Sequence, residues 1–73
     1  MKVREHDIVV LTAARPDAGL KPGDVGTVVH RYDDATAEVE FTTAAGDTIA
    51  VVTLPIVHLR APTATDVAAV RTA

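Results

Sequence analysis

The sequence predicts an all-β domain built from five short strands, and three observations carry that expectation. Twelve Val, three Ile and ten Thr make 25 of the 73 residues β-branched; such side chains lose rotamer freedom in a helix and pack well on a pleated surface. Glu38-Val39-Glu40-Phe41 alternates polar and apolar with the two-residue period of a strand. Gly and Pro fall between the apolar runs, where chain reversals need them.

Taken in order, Asp7 to Thr12 reads as a first strand, apolar on both faces through Ile8, Val9, Val10 and Leu11. Ala13 to Leu20 has no periodicity and holds Pro16, Asp17 and Gly19, so it is read as a long connecting loop. Lys21-Pro22-Gly23-Asp24 fits a type II turn, because Pro22 presets the first central dihedral and Gly23 accepts the positive one. The second strand runs from Gly26 to Tyr32, with Gly26 placed for a bulge or a close backbone approach. Asp33 to Thr36 is a polar tip, and Ala37 to Thr42 a third strand with Val39 and Phe41 facing the core. A turn at Ala44 to Asp47, centred on Gly46, leads to a fourth strand at Thr48 to Leu54. Pro55 lacks the donor to continue a ladder, so a tight turn at Leu54 to Val57 feeds a last strand at His58 to Arg60. Pro62 closes the domain. The barrel is thus assigned to residues 1–61 and a tail to residues 62–73, the tail flexible or a short helix capped by Thr65 with Asp66 in its first turn. A long first connection, two tight hairpins and a turn before the last strand describe a small barrel of the SH3-like kind.

Composition excludes several chemistries. Cys, Ser, Asn and Gln are absent, which removes disulfides, thiolate metal sites, Cys and Ser nucleophiles and amide oxyanion donors. With one Tyr, one Phe and no Trp, the core must be aliphatic. A chain of this size buries only about 60% of its unfolded surface, so self-association into a homo-oligomer is an expected further source of stability. The longest aliphatic runs, Ile8 to Leu11 and Ile49 to Val52, fall far short of the roughly 20 residues a spanning helix needs. The charged N-terminus is unlike a secretion signal, and a cytoplasmic location is expected. Net charge is −3, with the acidic excess concentrated in residues 32–60, a poor surface for phosphate backbones.

The segment Leu20-Lys21-Pro22-Gly23-Asp24-Val25-Gly26-Thr27-Val28-Val29 resembles the KOW motif of ribosomal and transcription-elongation proteins. Together with Glu38 to Phe41, Thr48 to Leu54 and Leu59-Arg60, it is similar to a family of small bacterial proteins known only as a domain of unknown function, numbered forty-nine twenty-six. The resemblance covers residues 7–60 and implies a fold without an established activity. It also implies a binding partner encoded nearby, in an antitoxin-like or immunity-like role. Similar barrels serve as non-catalytic docking parts of enzymes, such as the nitrile hydratase β-subunit and a small photosystem subunit.

Each candidate residue carries a plain structural reading beside its functional one. His6, His30 and His58 lie 24 and 28 residues apart, without the short spacing that sets two ligands on one element, so no metal or cofactor is expected. Asp33 and Asp34 suit a solvated turn, and Glu38 and Glu40 a solvated strand face that pairs with Arg31 or meets a basic partner. Gly23 and Gly26 precede a strand and lack a following Lys-Ser or Lys-Thr, unlike a phosphate loop. The aromatics are too few for base stacking, and no Asn or Gln is present to read adenine. The reading adopted is a non-catalytic protein-interaction module. Its partner surface is expected between the long loop (Arg15, Pro16, Asp17, Lys21) and the hairpin tip (Tyr32, Asp33, Asp34), with Tyr32 as the anchor. An edge strand open to pairing with a peptide or a second copy would add to it. A KOW-like RNA-binding module and a docking subunit of an enzyme complex are the alternatives. Pro22, Gly23, Gly26 and Gly46 are assigned structural turn roles.

Overall fold

A computed structural model describes residues 1–72 and turns each apolar run into a strand of one antiparallel sheet. The strands are β1 (Ile8–Leu11), β2 (Val25–Arg31), β3 (Thr36–Thr42), β4 (Thr48–Pro55) and β5 (Leu59–Arg60), followed by one helix, α1 (Ala64–Ala68). Their order is β4-β3-β2-β1-β5, a meander whose first strand also pairs with the last, and the sheet curls into a half-barrel. The all-β class and the five strands of the expected small barrel are thus present. No helix among the described residues is long and apolar enough to cross a membrane.

The alternation read in β3 is the axis of the core. Ala37, Val39 and Phe41 are fully buried, with Glu38 and Glu40 on the opposite face. Val3, Val9, Leu11, Leu20, Val28, Leu54, Ile56 and Leu59 complete the cluster. β1 is buried on both faces, except that Ile8 is exposed.

Two glycines are required for different reasons. Lys21 to Asp24 forms the expected turn, the Asp24 N–H donating to the Lys21 carbonyl at 3.1 Å and Gly23 holding φ 95°. Gly26 pairs with Val9 on one side and with Phe41 on the other. A Cβ at Gly26 would lie 2.7 Å from Val39 Cγ1, 2.9 Å from the Glu40 carbonyl and 2.9 Å from Phe41 Cδ1. Of its two expected roles, Gly26 therefore serves close approach; the bulge of β2 lies further on, between Val28 and His30. Gly46 takes φ 90° in the β3–β4 turn, where its N–H donates to the Thr43 carbonyl.

Several boundaries move. The long loop is ordered, with a 3-10 turn at Pro16–Ala18 inside an Arg15–Leu20 bridge. β4 includes Pro55, which pairs with Thr36 on an edge strand where no donor is needed. A 3-10 turn at Ile56–His58 then shortens β5 to two residues. The helix cap is Thr63 rather than Thr65. Thr63 and Asp66 form a reciprocal capping box, which a cap at Thr65 would have no acid three residues on to complete. The tail is also tied down: Arg60 pairs with Asp66 at 2.7 Å, and the Ala44 N–H donates to the Arg71 carbonyl at 3.0 Å. The sequence reading of Ala73 lies outside the described residues.

Gly26→Ala is expected to destabilise by about 2 kcal/mol through overpacking against main chain, lowering the melting temperature by roughly 10 °C. Gly23→Ala meets open space and carries only the left-handed backbone penalty of roughly 1 kcal/mol. Thermal unfolding of both variants checks the order, and an equal or reversed loss would contradict it.

The Arg60 guanidinium and the Thr63 groups hold the Asp66 carboxyl well below the usual carboxylate range. Because the folded value is depressed, its contribution is complete above the unfolded value of about 3.9 and disappears only as pH falls through the lower folded value. Carboxyl NMR titration should find Asp66 still ionised near pH 3, with α1 still capped. A midpoint near the ordinary value would show that the Arg60 pair does not persist in solution.

Candidate functional site

Tyr32 owes its position to one extra residue. Val28 pairs with Val39 on the inner face, and His30, not Val29, pairs with Glu38 on the outer one. Uninterrupted alternation would turn His30 and Tyr32 inward; the bulge at Val29 turns both outward. The sequence offers Gly26 for a bulge or a close approach, and Val29 carries no turn chemistry to reveal the irregularity.

Around Tyr32 a polar network forms on the outer face. Its hydroxyl donates to Glu38 Oε1 at 2.7 Å, and its ring stands edge-on to His30 at 4.5 Å between centroids. His30 Nδ1 lies 3.3 Å from Glu5 Oε2. The Glu38 carboxylate that accepts the hydroxyl raises the Tyr32 phenol above its usual value, moving its ionisation further from the neutral range in which it is already a protonated donor. Tyr32 remains 53% exposed, an oriented aromatic that is not consumed by the core.

The edge strand β4 borders this network. The Ile56 N–H donates to the Ala35 carbonyl, which sets the antiparallel ladder so that the main-chain groups of Val51 and Thr53 point away from β3. Arg15 Nη1 reaches the Thr53 carbonyl at 3.5 Å from outside. Thr53 pairs with Glu38 across the sheet and lies against the Tyr32 hydroxyl. Arg15 and Tyr32 therefore converge on one corner of the sheet through Thr53. Asp17 joins them by its 3.3 Å pair with Arg15, which lowers the Asp17 carboxyl below its usual value.

The other candidates are distributed differently. Asp34 binds Arg31 at 2.7 Å, and Asp33 accepts the Ala35 N–H at 2.8 Å, a turn stabilised by its own acids. Lys21 stands before β2, whereas Asp33 and Asp34 follow its far end, across a seven-residue strand of about 20 Å. Loop and tip thus meet at Arg15, Asp17 and Tyr32, and Lys21 belongs to the opposite end. Glu40 binds the Thr48 hydroxyl, and Arg31 is held by Asp34 rather than by Glu38 or Glu40. The three histidines sit on separate elements: His6 in the turn before β1, His30 in β2 and His58 in the turn before β5. No group of three metal-ligating side chains occurs among the described residues.

Neither a curated protein nor a solved structure matches the chain. Residues 5–61 match the family described as "Domain of unknown function (DUF4926)", a span that takes in all five strands and stops before α1. The chain belongs to that domain-of-unknown-function family.

Proposed function

We propose that the protein is a non-catalytic protein-interaction module that docks its partner on the corner formed by Tyr32, Glu38, Thr53 and Arg15. The observation that carries this reading is the exposed Tyr32 ring, oriented by Glu38 and His30 beside an edge strand with outward main-chain groups. An exposed Tyr with a fixed hydroxyl offers apolar area and a hydrogen bond at low entropic cost. β4 carries no charged residue along its eight positions, the usual deterrent to edge pairing, so a partner backbone can extend from the corner along Val51.

The charge pattern favours a protein over a polyanion. Arg15, Arg31, Arg60 and Arg71 are each paired with an Asp, and Glu5, Glu38 and Glu40 lie on the outer face beside Tyr32. Such a face suits a basic or neutral segment and repels a phosphate backbone. A small cytoplasmic adaptor paired with a separately encoded protein is the setting this chemistry fits.

Affinity capture with the full chain should recover one stoichiometric protein, and Tyr32→Ala should reduce that recovery roughly tenfold or more, as loss of an interface anchor does. The variant should keep the wild-type thermal transition, because the ring lies outside the core. Equal recovery by both chains would remove Tyr32 from the interface. Binding of RNA that weakens steeply with salt would instead support the nucleic-acid alternative.

A further inference from the structure

The other end of β2 holds a second arrangement, separate from the Tyr32 corner and testable without it. Asp24 is the one charged residue of the buried set, its side chain only 4% exposed. Its Oδ2 accepts the Lys21 N–H at 3.0 Å and lies 3.1 Å from Arg71 Nη2. The same Nη2 donates to the Gly19 carbonyl at 2.8 Å, while the Ala44 N–H donates to the Arg71 carbonyl at 3.0 Å. Gly19, Asp24 and Ala44 therefore receive both the guanidinium and the backbone of one arginine.

Two features mark the tail as a replaceable occupant. First, no residue from 61 to 72 is buried, and α1 places none in the core. Polar contacts hold the segment, and its one buried pair, Arg71 with Asp24, can be re-formed by any arginine that takes the same place. Second, the fit is incomplete: one guanidinium nitrogen makes both contacts, and Arg71 Nε is buried without a partner. An arginine approaching at another angle can present two parallel donors to the carboxylate, the stronger geometry. The receiving residues all lie within the family match over residues 5–61, and the occupant lies outside it.

We propose that Gly19, Asp24 and Ala44 form a recognition site for an arginine-bearing extended peptide, which the chain's own Arg71 segment fills until a partner's arginine displaces it. The tail then acts as an internal competitor that lowers the apparent affinity for the incoming peptide by the fraction of time the site is free.

The probe is a capped Ala-Val-Arg-Thr peptide, titrated into isotope-labelled full chain and followed by NMR. Arg71→Ala should bind it about tenfold more tightly than wild type, by release of the competitor, with shifts centred on Gly19, Asp24 and Ala44. In the wild-type chain, high peptide concentrations should release the tail, seen as movement of the Val70, Arg71 and Thr72 amides to unstructured positions while the Ala44 amide stays hydrogen-bonded. A peptide with citrulline, the uncharged isostere, in place of arginine should bind neither chain at those residues. Equal affinity in the two chains, equal binding of the citrulline peptide, or an undisturbed tail at saturation would each overturn the proposal. The wild-type titration decides the matter even where the variant is poorly folded.

Discussion

Everything in this half-barrel depends on the contact between Gly26 and Phe41. The only phenylalanine in the chain lies directly across the ladder from the one glycine inside a strand. Its Cδ1 and Val39 Cγ1 occupy the space a side chain at position 26 would need. An aromatic covering a cross-strand glycine both fills the gap and lets the sheet bend there. With no other large aromatic available to the core, the curl of β2 over β3 is what brings small Val and Leu side chains close enough to exclude water. Tyr32 can remain outside because Phe41 fills the centre.

Internal pairing of arginines shapes the surface as much as the core does. Each Arg–Asp pair is partly or largely solvent-exposed apart from the buried Asp24 carboxylate, so most contribute modestly to stability. Their larger effect is to leave the carboxylates around Tyr32 as the unbalanced charge of the outer face. The two ends of β2 consequently offer unlike chemistry: an exposed aromatic among acids at one end, a sequestered carboxylate at the other.

The strands, the type II turn and the core-facing residues of β3 were legible because each follows from a local rule: period, dihedral preference or missing donor. Lys21 to Asp24 and Val39 with Phe41 needed no tertiary information. Thr63 against Thr65 was a narrower matter, decided by which threonine stands three residues before Asp66. The docking of Arg71 on Asp24 spans 47 positions and has no sequence signature, since buried pairing depends on how the tail crosses the sheet's end. Gly26 was recognised as special, yet Val29 was not, because a bulge without glycine is settled by the register of both neighbouring strands. The corner at Thr53 is half legible: Tyr32, Arg15 and Glu38 stand out in the sequence, whereas Thr53, which joins them, has no feature beyond its place in a strand.

Because Val29 is supernumerary in its ladder, the strand can lose that one residue and keep every partner it has. A relative lacking it would still set the imidazole opposite Glu38 and the phenol outdoors, on a straighter ribbon. That codon is expendable for facing, whereas a second loss beyond it would carry the phenol indoors. A strand shorter by one position within such a lineage would therefore leave the exterior chemistry intact.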